Sequence, residues 1–278
     1  MRRIVDFRFP ISDWRRAERA RGGRAESEIG NRKLEMARAF TLVELLTVVA
    51  IIALLLAVLV PSLSGARLQA KQTACAANLH FVATATDLYL ADHRDLYWRY
   101  YTQSPDGRWW WFGFEPGGPG SGPNRPIDKS KAVLTPYLGT SDDRLQCPSF
   151  PYGDPCVFPK FAEPTASYGM NLLLGPITAP TKRRTEFLTR TAAVFVFADA
   201  CHFDFGPLMN EGHYVQFMPG AAAPSGYAHF RHRGRANVLF MDGHVDHQRL
   251  RGPAYPAGCA GPPGNLTDPA GGSTIYGS

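Results

Sequence analysis

One uninterrupted apolar run, residues 40–60, dominates the hydropathy pattern of this 278-residue chain. Its 21 residues read FTLVELLTVVAIIALLLAVLV and carry one formal charge, that of Glu44. At about 1.5 Å per residue, a helix of this length is roughly 30 Å long, which is enough to cross the hydrocarbon core of a membrane. A carboxylate inside such a helix is energetically costly, so its presence indicates a function.

Small and apolar residues recur at steps of three and four after Pro61, which predicts an amphipathic helix over residues 61–95. A kink is expected at Pro61 because proline lacks a backbone donor. We predict that a sheet packs against one stripe of this helix, formed by Ala70, Ala74, Ala77, Phe81, Ala85 and Leu88.

Residues 97–112 contain eight aromatic side chains in sixteen positions, divided by the turn sequence SPDG at 104–107. This pattern predicts an aromatic β-hairpin. The tryptophans have two interpretations. Either they fill the core, which we prefer, or Trp109, Trp110 and Trp111 form an exposed stacking platform for a glycan.

Further β-type runs follow a loop predicted over residues 115–130. Residues 192–198 predict a buried strand that ends at Asp199, and residues 237–241 predict another. Asp242-Gly243 predicts a type I′ turn into a return strand. The expected fold class is therefore α+β, with a long N-terminal helix packed on an antiparallel sheet that carries loop insertions.

Charge is distributed unevenly along the chain. Residues 1–39 hold 11 Lys+Arg against 6 Asp+Glu, whereas the remainder holds 19 against 18. A basic flank ahead of an apolar helix predicts a single-pass protein with its N-terminus in the cytoplasm and its body outside. The nearly neutral body argues against nucleic-acid binding. Residues 251–278 are rich in Gly and Pro and predict a flexible tail.

Five cysteines allow several disulfide pairings, since an extracytoplasmic body permits disulfides. Cys147 and Cys156 flank a Pro/Gly-rich turn and are the first candidate pair. Cys201 with Cys259 is the second candidate. We expect Cys75, on the predicted helix, to pack as a small apolar residue.

The segment AFTLVELL at residues 39–46 resembles the processing site of type IV prepilins and type II secretion pseudopilins. The resemblance implies cleavage after Ala39 and methylation of the new N-terminal Phe40 by a prepilin peptidase/methyltransferase. It also implies that Glu44, the fifth mature residue, pairs with the Phe40 amine of a neighbouring subunit. An ammonium and a carboxylate at membrane depth each lower the cost of the other.

Two features depart from that family. Ala39 stands where the family usually has Gly, and the leader at 1–39 is long, so Met36 is an alternative start. Two other interpretations of the N-terminus compete: a cleaved secretory signal peptide, and an ordinary anchor with Glu44 at its interfacial end.

Segments further along the chain extend the resemblance to a pseudopilin-like subgroup with a C-terminal His-x9-Asp-Gly pattern. The resemblance covers most of residues 40–248 and implies a pilin-like fold whose globular head spans 96–250. Besides the FTLVELL start, the matching segments are Cys147-Pro148-Ser149, SYGMN at 167–171, and His232 with Asp242 and Gly243.

The resemblance implies a structural, non-enzymatic subunit of the inner membrane. It would assemble with other pilin-like subunits into a type II secretion pseudopilus or related filament, without a required cofactor. The alternatives are a membrane-anchored glycan-binding module and a metal-dependent extracytoplasmic hydrolase.

Asp199, Asp204 and Asp242 are candidate ligands for structural calcium or another divalent ion. No H-E-x-x-H, nucleophile-elbow or P-loop pattern occurs, which argues against the hydrolase.

Overall fold

The computed structural model describes residues 41–118, 120, 123–139, 142–155, 157–205, 208–215, 226–249 and 263–264. The leader, Ala39, Phe40, Cys156, Cys259 and nearly all of the predicted tail lie outside these residues. Contacts divide the chain between Leu55 and Leu56, so the two parts are described separately. The fold class is α+β, as predicted.

Helix α1 spans Leu42–Asp92 and continues through Pro61. Within the described residues it is the one helix that is long and apolar enough to cross a membrane. Its large apolar side chains from Leu42 to Val60 are all exposed, from 46% at Val48 to 80% at Leu42. So much contiguous apolar surface requires a membrane or a protein partner to cover it.

The face of α1 that enters the core of the second part differs from the predicted stripe. Of the six predicted positions only Ala85 is buried. Leu79, Val82 and Leu90 point inward instead, because burying these larger side chains removes more apolar area from water than burying alanines. The complete buried face consists of Gln72, Cys75, Leu79, Val82, Ala83, Ala85, Thr86 and Leu90.

A three-stranded antiparallel sheet follows the helix and contains strands β1 (Tyr101–Ser104), β2 (Gly107–Trp110) and β3 (Gly113–Pro116). Pairing of Ser104 with Gly107 confirms the predicted aromatic hairpin. Strand β3 extends into the segment that we predicted as a loop. A short helix α2 and two 3-10 turns lie between β3 and β4, and two further 3-10 turns lie between β4 and β5. They are α2 at Thr135–Leu138, and turns at Lys129–Lys131, Asp142–Leu145, Arg184–Phe187 and Thr191–Ala193.

The larger sheet is built around one long strand, β5. The first half of β5 pairs with β4 and β9, and its second half pairs with β6 and β8. All pairs are antiparallel except β4 with β7. The strands are β4 (Tyr168–Asn171), β5 (Phe195–Phe205), β6 (Leu208–Glu211), β7 (Tyr214–Val215), β8 (Gly226–His229), β9 (Arg235–Phe240), β10 (Val245–Arg249) and β11 (Pro263–Gly264).

The hairpin between β9 and β10 confirms the predicted strands but corrects the turn type. Phe240 pairs with His244, so the loop has three residues rather than two. The Gly243 N–H donates to the Phe240 carbonyl at 2.9 Å, and only Gly243 of the loop has a positive φ, of 89°. This is a type I turn followed by a left-handed glycine. A type I′ turn would also require a positive φ at Asp242, which costs energy for a residue with a Cβ.

Candidate functional site

Glu44 lies in the first turn of α1, where Thr41 binds its carboxylate. The Thr41 backbone N–H and hydroxyl both donate to Glu44 Oε2, at 2.9 and 2.8 Å. In return the Glu44 N–H donates to Thr41 Oγ1 at 3.1 Å. This reciprocal arrangement is a capping box, and the T-x-x-E spacing at 41–44 is its sequence signal. Because Phe40 lies outside the described residues, its pairing with Glu44 stays a prediction.

Asp199 is a fully buried carboxylate in the middle of β5, not at the end of a strand as predicted. Its Oδ1 accepts from Arg231 Nη2 at 2.7 Å, and its Oδ2 accepts from the Asn237 backbone N–H at 2.7 Å. His232 Nε2 lies 3.2 Å from Oδ2. Burial alone would raise the pKa of Asp199, but these three partners outweigh burial and lower it below the ordinary value. The ionised side chain of Asp199 thus connects β5 to β9 and to the turn before β9.

A disulfide joins Cys147 to Cys75, so the predicted Cys147–Cys156 pair is wrong. The prediction that Cys75 only packs is also wrong. The bond links positions 72 residues apart and ties α1 to the loop ahead of β4. Closeness in sequence misled the prediction, because the inward face of the helix brings Cys75 to Cys147. Cys201 is buried, forms no disulfide among the described cysteines, and has its pKa raised by burial to about 12.

The Cys-Pro-Ser and SYGMN segments meet beside this disulfide. The Cys147 N–H donates to Ser167 Oγ at 2.6 Å, and Arg231 Nη2 donates to the Ser167 carbonyl at 2.6 Å. The Tyr168 hydroxyl donates to the Cys75 carbonyl at 3.3 Å. The two segments therefore fasten helix α1 to the sheet and contribute to the network around the buried aspartate.

Gly169 and Asn171 of the SYGMN segment also have structural roles. A Cβ at Gly169 would lie 2.7 Å from the Ala200 Cβ and 2.8 Å from the Tyr214 carbonyl carbon, so glycine permits the neighbouring strands to approach. Asn171 Nδ2 donates to the Phe195 carbonyl at 2.9 Å and joins the end of β4 to the start of β5.

The His-x9-Asp-Gly residues occupy opposite ends of strand β9 and do not form one site. His232 precedes the strand and is buried against Asp199. Asp242 follows the strand, is exposed, and accepts from the His244 N–H and ring of its own turn. The spacing therefore marks the length of a strand plus its turns.

The candidate metal carboxylates are not brought together within the described residues. One group there is compact enough to hold a metal ion, and it contains Asp199 but not Asp242. The side chain of Asp204, although its backbone belongs to β5, lies outside the described residues. The members of the compact group are Cys75, Cys147, Asp199 and His232.

The three consecutive tryptophans do not form an exposed platform. Trp110 and Trp111 are buried, whereas Trp109 is 42% exposed. Trp110 Nε1 donates to Glu115 Oε2 at 2.9 Å, and Trp111 Nε1 donates to the His213 carbonyl at 2.8 Å. The core interpretation is confirmed for these two residues, and the glycan platform of three tryptophans is wrong.

A second buried carboxylate, Glu211 at the end of β6, was missed because it follows no recognisable motif. Its Oε1 accepts from the Thr165 N–H at 2.8 Å, and its Oε2 accepts from the Thr165 hydroxyl at 2.6 Å. His213 Nε2 lies 3.9 Å from Oε2. Burial nevertheless raises the pKa of Glu211 from 4.5 to about 7.

We expect Glu211 to make the head less stable as the pH rises from 4.5 towards 7. Its folded pKa lies above the unfolded one, so the contribution is full below 4.5 and is lost as the pH rises through about 7. The change amounts to about 3 kcal/mol, at about 1.4 kcal/mol per pKa unit. Urea unfolding across this pH range should show that the free energy of unfolding falls with rising pH in the natural chain. In Glu211→Gln this slope should be lost. The exposed Glu163→Gln is the control and should keep the slope; an equal slope in both variants would contradict the assignment.

Comparison with protein-family models, curated proteins and solved structures finds no match to this chain.

Proposed function

We propose that this chain is a membrane-anchored structural subunit, cut after Ala39 and methylated on Phe40, that assembles with other pilin-like subunits. The assembly is a type II secretion pseudopilus or a related filament. The observation that carries this proposal is the exposed apolar run of α1, which holds a single acid in its first turn at Glu44. A simple anchor requires no acid there.

The outward face of α1 beyond residue 60 supports assembly through helices. Ala70, Ala74 and Ala77 are exposed there, and Phe81 is 47% exposed. Small side chains let two helix backbones approach closely, and close approach increases van der Waals contact. The part of the predicted stripe from Ala70 to Phe81 is thus available to a neighbouring subunit.

The use of the polar residues supports a structural rather than a catalytic role. Arg231 donates to both Asp199 and the Ser167 carbonyl in the interior, and Cys147 is bonded to Cys75. Each of these groups joins one buried segment of the chain to another.

The disulfide supports an extracytoplasmic head, because disulfides persist in oxidising compartments and are rare in the cytoplasm. The basic flank at 1–39 then remains in the cytoplasm, and the apolar run crosses the inner membrane.

Intact-mass analysis of the chain extracted from membranes tests the proposal. In cells that contain a prepilin peptidase, we expect a product that begins at Phe40 and carries one added methyl group. Ala39→Gly restores the residue usual in prepilins and should be cut at least as completely, and cells without the peptidase supply the uncut control. An uncut natural chain beside a cut Ala39→Gly chain would overturn the proposal.

A further inference from the structure

Four side chains with metal-binding atoms surround one point in the interior, where helix α1 packs against the head. Cys75, Cys147, Asp199 and His232 each direct one such atom there, and these atoms all lie within 4.8 Å of one another. All four residues are buried, with His232 the most exposed at 3%. Two sulfurs, one imidazole and one carboxylate form a donor set that zinc accepts in four-coordinate sites.

Two of the ligand-pair distances are close to those of a tetrahedral zinc site. Zinc bonds are about 2.3 Å long to sulfur and about 2.0–2.2 Å long to nitrogen and oxygen. In tetrahedral geometry these lengths place sulfur and nitrogen ligands about 3.6 Å apart, and nitrogen and oxygen ligands about 3.4 Å apart. His232 Nε2 lies 3.3 Å from Cys147 Sγ and 3.2 Å from Asp199 Oδ2. The two sulfurs, now bonded, would have to separate to about 3.8 Å. Their Cα atoms are 5.2 Å apart, so side-chain rotation can supply much of this separation.

The charges also balance. Two thiolates and one carboxylate around a divalent ion leave a net charge of −1, which a buried site must neutralise. Arg231 Nη2 lies 2.7 Å from Asp199 Oδ1, and the side chains of Arg231 and Asp199 are 1% and 0% exposed. Arg231 thus supplies the missing positive charge and holds the carboxylate so that Oδ2 faces His232.

We propose that reduction of the Cys75–Cys147 bond converts this cluster into a zinc site with Cys75, Cys147, His232 and Asp199 as ligands. Oxidised and zinc-bound forms are mutually exclusive, because a sulfur bonded to sulfur is not a thiolate ligand. Both forms join α1 to the loop ahead of β4, so zinc would hold that joint in chains whose disulfide has not yet closed.

Solvent reaches the edge of the cluster through a groove of about 640 Å³. His232 lines this groove together with Arg233, Arg235 and Arg249. The arginines favour the approach of an anionic reductant. A carboxylated phosphine is such a reagent. It gives two electrons to the S–S bond and takes the oxygen of one water, and the two water protons go to the thiols. Zinc then displaces the thiol protons into solvent.

The test uses the full chain in detergent micelles, with Cys156 and Cys259 replaced by Ser and Cys201 by Ala. Zinc binding is measured by competition with a chromophoric chelator, after phosphine reduction and without it. Cobalt(II) serves as a spectroscopic probe, since thiolate ligands give charge-transfer bands and a four-coordinate site gives strong visible bands. Near-UV circular dichroism follows the fold of every sample.

We expect one zinc ion per reduced chain and none in the oxidised chain. His232→Gln removes one ligand but leaves the disulfide able to form, and should weaken zinc binding by at least roughly tenfold. His244→Gln, in the exposed turn, is the matched control and should bind zinc as tightly as the parent. The proposal is overturned if the reduced parent binds zinc no more tightly than the oxidised parent. It is also overturned if both histidine variants bind alike, or if reduction unfolds the head and zinc fails to restore the dichroism.

Discussion

Replacing Glu44 with glutamine is expected to abolish filament assembly while helix α1 and the head stay folded. A glutamine oxygen can still accept from the Thr41 N–H, so the capping box survives. The charge that would bind the Phe40 ammonium is lost, however. An ammonium left unpaired in a buried site costs about 3 to 5 kcal/mol. At about 1.4 kcal/mol per tenfold, subunit affinity falls by more than roughly 100-fold.

The measurement is the fraction of processed chain that sediments as polymer, with intact mass confirming that cleavage is unchanged. Thr41→Val is the matched control, because it keeps the carboxylate but removes the capping hydroxyl. It should cost about 1 kcal/mol of helix stability and leave assembly intact. If Glu44→Gln polymerises normally while Thr41→Val does not, Glu44 serves only as a cap, and the assembly role is lost.

Asp199→Asn is expected to lower the free energy of unfolding of the head strongly. The side chain of Arg231 is 1% exposed, and its nearest carboxylate would be gone. Removing one partner of a buried pair typically costs about 3 to 5 kcal/mol. Urea unfolding at neutral pH gives the free energy of unfolding directly. Asp242→Asn, at the exposed turn, is the control and should change the free energy of unfolding by less than about 0.5 kcal/mol.

The pH dependence gives a second measure of the same pair. The folded pKa of Asp199 is below its ordinary value of 3.8, so its contribution is full above 3.8 and is lost as the pH falls through the folded pKa. The difference in free energy of unfolding between the natural chain and Asp199→Asn should therefore shrink under acidic conditions. A loss below about 1 kcal/mol at neutral pH would show that the pair adds little beyond an ordinary hydrogen bond.

Local patterns predicted the elements that local forces form. The apolar run at 40–60 predicted the helix, and the SPDG turn at 104–107 predicted the aromatic hairpin. The orientation of α1 beyond residue 60 was not predictable in this way. Alanines recur at helical spacing on one face, but the partner surface selects Leu79 and Val82 because they bury more area.

Long-range partners explain the other differences. Asp199 looked like a strand terminus because an isolated carboxylate does not fit a buried strand. Its stabilising donors, Arg231 and Asn237, come more than 30 residues later in the chain. Cys75 likewise finds its partner 72 residues away. Only three-dimensional contacts reveal that Cys147 meets both Ser167 and His232, while Asp242 lies in its own turn at the other end of β9.

The covalent bond between Cys75 and Cys147 also sets how the head withstands mechanical load. A pulling force applied along α1 at Cys75 passes through the covalent bond into the loop ahead of β4. A hydrogen bond then connects Cys147 to Ser167, the residue before β4. The helix therefore cannot peel away from the sheet at this point by shearing hydrophobic contacts alone. If the proposed filament forms, stretching it would break noncovalent contacts before it breaks this covalent attachment.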